Sequence, residues 1–400
     1  MTSHLRPQPI IAGVIASLVG FASSFTVVLA GLHAVGASDT QAASGLLVLS
    51  VLMGLVGIFS SWRTKMPIAA AWSTPGAALM VSGGMVHGGY RAALGAFVIA
   101  GLLTVIAGIW KPLSRGISAI PGPLASALLA GVLLPVCLAP AKSVVEQPRL
   151  TIPVVIAWLL LLRFARRWAV PGALVAAVIS VAFGPHLPFG SLSRIWPRIA
   201  LNAPAFDVRT LIGLGVPLFI VTMASQNVAG MAVLRSFGYR PDLGPLMVST
   251  GAATAIGAPF GVHGVNLAAL TAAMVAGPDA DPEPDKRWIA SASAGASYIV
   301  LGLLASLAAA AVAVAPAVLV EAVAGLALLG ALAGALHAAM ADHALRDAAV
   351  VTLVVSASGA TAFGISSPFW GLSAGLIVHG LERFRATPTA PAAPTTEGAS

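Results

Sequence analysis

The sequence predicts an all-α polytopic membrane protein of about 14 transmembrane segments, built as a 7+7 inverted repeat with segments 3 and 10 broken. Three observations carry that prediction. Hydrophobic residues make up 58% of the 400 residues and only 8% are charged, where soluble domains carry about 25% charged residues. Apolar stretches of spanning length recur along nearly the whole chain, parted by short basic or Pro/Gly-rich connections. Two of those stretches, far apart in sequence, are interrupted by Pro and Gly at corresponding places. Mean hydropathy is +0.95, and the 21 Lys+Arg and 13 Asp+Glu are too few to clothe a soluble body of this size. Gly 42 and Pro 28 agree with membrane helices, where both residues are more frequent. The same figures exclude disorder, collagen and coiled coil. The single Cys137 excludes an intramolecular disulfide and a multi-cysteine metal site, and reads as an inert buried thiol.

In chain order, residues 1–9 form a short N-terminal cytoplasmic arm. The apolar run from Ile10 to about Leu32 is too long for a signal-peptide core and is followed by further spans, so it reads as segment 1 rather than a cleaved leader. The segments fall at roughly 10–32, 42–61, 66–85, 91–110, 119–139, 151–163, 169–184, 209–234, 243–257, 258–277, 287–311, 316–336, 347–362 and 365–382. The sixth and seventh are short, which leaves a single re-entrant hairpin open there. Residues 10–184 make the first seven-span repeat, 185–208 an outside linker and 209–382 the second repeat. The tail 383–400, Ala/Pro/Thr-rich from 386, is read as disordered and cytoplasmic.

Charge placement orients the chain. With the N-terminus inside, the cytoplasmic connections hold 15 of the 21 Lys and Arg, and the outside ones hold 6. Both termini are then cytoplasmic in an inner membrane, and no Lys or Arg falls at the centre of a span. The net charge of +8 follows this topology and forms no basic face, so no nucleic-acid partner is expected. Residues 21–36 resemble 223–238 at an offset of 202, with Ala22/Ala224, Ser23/Ser225, Ala30/Ala232, Leu32/Leu234 and Gly36/Gly238 coinciding. Segment 1 starts inside and segment 8 outside, so the halves would be inverted, a recurring construction of secondary transporters.

The chemistry centres on segments 3 and 10. In MPIAAAWSTPGAALM, Pro75 lacks an amide hydrogen and pushes Thr74 out of the helical region, while Ser73 or Thr74 can cap a helix that starts at the proline. This predicts an extended piece over about 66–73 and a half-helix from about 75. In APFGVHGVNLAALTAAM, Pro259, Gly261 and Gly264 disfavour helix, and a half-helix is expected to begin near Asn266. The two segments enter from opposite sides, so both half-helix N-termini would face one another near mid-membrane. Each exposes unpaired amides and about half a positive charge, together an anion site without a buried Arg or Lys. Plain proline kinks in ordinary helices are the competing reading.

Ser225, Gln226 and Asn227 interrupt segment 8, either as pocket-lining groups or as interhelical hydrogen bonds; Ser23 and Ser24 hold the matching place in segment 1. His263, in the extended part of segment 10, is a proton-coupling or substrate-contacting candidate, or else a satisfied neutral histidine. Glu321 is a weaker proton candidate, since an acid in a first helical turn is explained by the dipole alone. Trp72 is placed to stack on an aromatic ligand or simply to pack. Gly330 and Gly334 give a GxxxG spacing that usually marks a close helix contact. His337, Asp342 and His343 read as a solvated loop, and GPDADPEPDKR (277–287) as a turn rather than a calcium loop. No nucleophile–base pair, Walker loop, dinucleotide fingerprint or metal-ligand set is visible, so neither an enzyme nor an ATP-driven pump is expected, and no cofactor.

The runs AWSTPGAAL (71–79), IPGPLASALLAGVLLP (120–135), PLFIVTMASQNVAGMAVLR (217–235), GLALLGALAGAL (325–336) and RDAAVVTLVVSASG (346–359) resemble the BenE-type benzoate transporter family, with a likeness over about 10–382. That family is classed as benzoate:proton symporters and is related in fold to the uracil:proton symporter and to other nucleobase and sulfate carriers. The resemblance implies a core domain from 10–110 and 209–311 and a gate domain from 119–184 and 316–382. It also implies a short strand plus half-helix in segments 3 and 10. The uracil carrier has a Glu-His pair in segment 8 and a Glu in segment 10. Here Gln226-Asn227 stand in segment 8, and His263 and Asn266 in segment 10. The missing acids suit an anionic substrate, because a fixed carboxylate would repel a bound one.

The expectation is therefore proton-coupled uptake of a small aromatic carboxylate, benzoate foremost. Its carboxylate would rest on the amides of Thr74, Gly76 and Ala77 and of Asn266, Leu267 and Ala268, beside the Ser73 cap. Ser24, Gln226 and Asn227 would complete the pocket, with Trp72 against the ring. Partners are the carboxylate, a proton and membrane lipid, with a homodimer left open. A nucleobase-like or other small-anion carrier, or a passive anion channel, are the alternatives.

Overall fold

The computed structural model describes residues 7–110, 112, 120–182, 198–305, 308–309, 315–360, 362–363, 365 and 367–385. The expected disordered tail from 386, most of the arm before Pro7, most of the outside linker, and the basic residues Arg6, Lys111, Arg115 and Arg194 lie outside the described residues.

The first half contains α1 (Pro7–Ala34), α2 (Asp39–Thr64), β1 (Ala70–Trp72), α3 (Thr74–Gly83), α4 (Gly89–Ile109), α5 (Gly122–Cys137), α6 (Ala139–Glu146), α7 (Pro148–Phe164) and α8 (Ala169–Ala182). The second contains α9 (Val208–Ser236), α10 (Leu243–Gly257), β2 (Val265–Leu267), α11 (Ala269–Ala276), α12 (Trp288–Leu303), α13 (Ala317–Ala339), α14 (Arg346–Ala357) and α15 (Ser367–Arg385). Among the described residues, seven helical stretches are long and apolar enough to cross a membrane: α1, α2, α4, α5 with α6, α9, α10 with its 3-10 extension, and α13. The protein is an all-α polytopic membrane protein. The short sixth and seventh segments are two helices, α7 and α8, joined by a single 3-10 turn at Arg166–Trp168 and packed on each other.

Local chemistry sets the boundaries. Ser38 and Gln41 form a reciprocal capping box at the start of α2. Lys65 ends that helix in the left-handed conformation, with its amide bonded to the Ser61 carbonyl. Pro75 occupies the first turn of α3, where its missing amide costs nothing. Within α9, Leu211–Gly215 and Met223–Val228 are π-helical, and the second stretch contains the Ser-Gln-Asn run. Such bulges are often found at functional positions.

Two crossings at backbone contact distance hold the part of the bundle around β1 and β2. Helix α2 packs on α12 and α4 packs on α10. At the first, a Cβ on Gly54 would lie 2.5 Å from the Gly295 carbonyl oxygen, and one on Gly295 2.6 Å from that of Gly54. At the second, Gly101 and Gly251 stand in the same reciprocal relation, at 2.8 and 2.7 Å. In lipid no hydrophobic drive joins helices, so such close approach supplies the packing energy. Elsewhere α5 packs on α13 and α14, and α14 on α15.

The non-helical backbone sits inside this frame. Strands β1 and β2 pair antiparallel, with Ala70 opposite Leu267, Ala71 opposite Asn266 and Trp72 opposite Val265. Pairing satisfies the peptide groups on the facing edges, and Thr254 and Asn227 side chains accept from the outward Val265 and Leu267 amides, which makes extended backbone tolerable at membrane depth.

Candidate substrate site

The half-helices start where the strand pair ends. Ser73 caps α3: its hydroxyl accepts from Gly76 N–H at 3.0 Å and lies 2.7 Å from the Thr222 hydroxyl of α9. Its N–H donates to the Gly264 carbonyl at 3.0 Å. The second half-helix begins later than the sequence implied. Asn266 is not at its start but inside β2, fully buried, and α11 starts at Ala269 behind Ala268, with no side-chain cap. Pairing in register with β1 carries the extended backbone three residues past Gly264.

This shift changes which amides are open. Leu267 N–H donates to Asn227 Oδ1 at 3.0 Å, and Ala268 N–H donates to the Ala69 carbonyl at 2.9 Å. With its amide oriented to satisfy both ends, the Asn266 side chain donates to the Leu267 carbonyl at 2.9 Å and shares the Ser73 N–H, at 3.0 Å, with the Gly264 carbonyl. On α3, Gly76 N–H is held by the Ser73 hydroxyl, and Ala77 N–H by the Ser73 carbonyl. The expected cradle at 266–268 and 76–77 is therefore already hydrogen-bonded. The amides without an intrahelical partner are those of Thr74 on α3 and of Ala269, Leu270 and Thr271 on α11.

These two ends border one cavity of about 410 Å³. Thr74 and Pro75 line it from α3, and Ala268 to Thr271 from α11; Ser23 and Ser24 line it from α1, and Ser225 and Gln226 from α9. Trp72 and Tyr298 form an aromatic wall, with ring centroids 6.2 Å apart. Ala327, Leu328, Gly330 and Ala331 of α13 close the opposite side. No Asp, Glu, His, Lys or Arg lines this cavity among the described residues. Positive potential there comes from peptide dipoles alone.

The side chains named from sequence divide into two sets. Ser24, Trp72, Thr74, Gln226 and Ala268 line the cavity. Trp72 is also fixed from behind, its indole N–H donating to the Ser24 hydroxyl at 2.8 Å and its ring meeting Phe21 edge-on. The Gln226 side chain has no protein hydrogen-bond partner among the described residues, so its amide is free for a ligand. Ser73, Gly76, Ala77, Asn227, Asn266 and Leu267 instead build the scaffold behind it.

His263 also belongs to the scaffold. It is buried, its Nε2 donates to the Ser73 carbonyl at 3.0 Å, and Phe97 meets its ring edge-on. A carbonyl only accepts, so Nε2 carries the hydrogen; Nδ1 has no partner. Glu321 lies on an exposed face of α13, away from the cavity. Sequence reasoning missed Tyr298 and Thr271, whose hydroxyls are 3.3 Å apart at the mouth of α11. A tyrosine in mid-span, one of three in the chain, was the available signal.

A second cavity of about 940 Å³ adjoins the first and runs toward Pro7, Arg166 and Asp279. Ser23, Leu270, Ala327 and Gly330 line both. The expected close GxxxG contact on α13 is absent among the described residues, where a Cβ on Gly330 or Gly334 would meet nothing within 4 Å.

Known proteins resemble this chain in sequence and in fold. The chain is 36% identical over 388 residues to the inner membrane protein YdcO of Escherichia coli, covering 94% of this chain and 96% of that one. It is 29% identical over 369 residues to the benzoate membrane transport protein of Acinetobacter baylyi, covering 92% and 93%. In fold it is similar to the transmembrane domain of a cyanobacterial bicarbonate transporter, BicA, with a TM-score of 0.62 at 15% identity over 93% of this chain and 98% of that one. It is also similar to SLC26A9, with a TM-score of 0.61 at 15% identity over 95% of this chain and 66% of that one. The family model described as benzoate membrane transport protein matches residues 3–381. With that match spanning nearly every described element, the chain belongs to the BenE family of benzoate membrane transport proteins and is a membrane transporter rather than an enzyme.

Proposed function

We propose that the protein takes up a small aromatic carboxylate, benzoate foremost, together with a proton, by alternating access. The observation that carries this is the cavity between the half-helices: it is lined by polar amides and hydroxyls, by Trp72 and by small apolar residues, with no charged side chain among the described residues. A carboxylate fits the open amides of Ala269, Leu270 and Thr271, with the Thr74 amide and Gln226 completing its shell; the Ser24 hydroxyl donates to the Gly20 carbonyl and accepts from Trp72, so it holds the ring rather than the anion. The ring fits beside Trp72. Entering with one proton, a monoanion crosses without net charge.

The family membership and the small-anion carriers among the fold neighbours support the substrate class. The paired crossings of α2 with α12 and α4 with α10 support two inverted repeats, since such a duplication maps one crossing onto the other. The cavity lies between a core of α1–α4 with α9–α12 and a gate that includes α13, and relative movement of the two would alternate access. With both termini cytoplasmic, the larger cavity is the inner vestibule. Neither His263 nor Glu321 lines the cavity, so coupling through His263 would act by way of its bond to the Ser73 carbonyl, at the cap of α3.

Labelled benzoate uptake into proteoliposomes under an imposed pH gradient tests the reading. Accumulation driven by an acidic outside is expected. Uptake blocked by uracil and indifferent to benzoate would make the protein a nucleobase-type carrier, and uptake without proton dependence would make it a passive or differently coupled anion path.

A further inference from the structure

We infer that Gly330 sets the size of substrate that can pass between the binding cavity and the inner vestibule, with Leu270 as the opposing side of the neck. This deepens the proposed function and rests on it. The two cavities share four residues: Ser23 and Leu270 from one side, Ala327 and Gly330 from α13. The passage between a 410 Å³ site and a 940 Å³ vestibule therefore runs between these groups.

The two sides are shaped differently. Leu270 follows the first residue of α11 and is 59% exposed, although its helix starts at the buried strand pair. It is a large apolar side chain that lines both cavities. Opposite it, Ala327 and Gly330 are three residues apart on α13 and so share one face of that helix. Gly330 has no packing reason to be glycine: its Cβ direction is open, and it carries no left-handed backbone angle. The glycines at the α2–α12 and α4–α10 crossings are held against a neighbouring backbone. Glycine in mid-helix is unfavourable relative to alanine, so its place at the neck is explained by the room it leaves. A ring carrying a substituent para to the carboxylate is longer by that group, and a side chain at 330 would stop it first.

The experiment compares the wild type with Gly330→Ala, Gly330→Val and Gly330→Leu in proteoliposomes, using benzoate, 4-methylbenzoate and 4-tert-butylbenzoate. Binding is followed in parallel by quenching of tryptophan fluorescence. Each variant should keep the wild-type thermal midpoint or exceed it, because the added group enters open space. Transport should fall in the order of side-chain size, with the loss at each variant at least tenfold greater for the tert-butyl compound than for benzoate, and with binding of each compound reduced less than its transport. Val and Leu variants that carry all three substrates in the wild-type ratio would overturn the inference, as would equal loss of binding and transport for all three. A wild type that carries none of them would instead sink the proposed function, so the two failures are distinguishable.

Discussion

Asn227 Oδ1 accepts the amide hydrogen of Leu267 at 3.0 Å, joining the π-helical stretch of α9 to the inner strand of the second half. The side chain of its neighbour Gln226 points the other way, into the cavity, with no protein partner among the described residues. Two adjacent amides thus have separate tasks. Asn227 holds the backbone that aims the start of α11, and Gln226 is available to the ligand.

Substitution should separate them. Asn227→Ala strands a buried N–H, which costs about 1–3 kcal/mol, and is expected to lower the thermal midpoint in detergent and abolish uptake. Gln226→Ala should leave the midpoint unchanged and weaken benzoate binding roughly tenfold to a hundredfold, as loss of a hydrogen bond to a charged group does. Thermal unfolding and binding measured on both variants check this. Equal destabilisation would mean that Gln226 is also structural.

Tyr298 and Thr271 offer hydroxyls where α11 opens. Tyr298→Phe keeps the aromatic wall and removes one donor, so benzoate binding should weaken about tenfold with the fold intact. Thr271→Val should behave similarly. If both bind benzoate like the wild type, the carboxylate lies elsewhere in the cavity.

The helix crossings predict a contrast among glycines. Gly295→Ala would place a methyl 2.6 Å from the Gly54 carbonyl oxygen, and overpacking of this kind costs about 1–3 kcal/mol. Gly330→Ala adds the same methyl to open space and should gain up to about 1 kcal/mol from helix propensity. Melting curves of the two variants should shift in opposite directions.

Asp207 caps α9, and its carboxyl is held below the usual carboxylate range, first by the Thr210 N–H and further by Thr210 and His87 side-chain contacts. His87 Nδ1 lies 3.1 Å from Asp207 Oδ2. A lowered value in the folded state means that this contribution is complete above the ordinary carboxylate value. It is lost as pH falls through the lowered one, where the protonated acid no longer caps as an anion. Asp207→Asn should therefore lower thermal stability at neutral pH, where the carboxylate's contribution is complete, and flatten the acid limb below about pH 4. An unchanged acid limb would show that other carboxylates set it.

Much of this architecture was legible in the sequence, because lipid imposes long apolar runs and the breaks need Pro and Gly. Ser73-Thr74-Pro75 located the start of α3, since a capping hydroxyl and a proline specify a first turn. The start of α11 was misplaced by three residues. Pro259, Gly261 and Gly264 mark where helix fails, whereas the restart at Ala269 is set by pairing with β1, a contact between residues nearly 200 apart. His263 and Asn266 looked like ligands because they are polar residues at membrane depth. Only the fold shows that the Ser73 carbonyl and the Ser73 and Leu267 backbone already occupy them. The open face of Gly330 was invisible for the same reason: GxxxG spacing does not say whether a neighbour is present.

The most direct test is the structure of the protein with benzoate bound. The carboxylate should lie within hydrogen-bonding distance, about 2.7–3.2 Å, of the Leu270 and Thr271 amides, with its ring beside Trp72 and the Gln226 amide turned toward it. Benzoate seated against Arg166 in the vestibule, or held by any Lys or Arg with the α11 amides facing only water, would contradict the account.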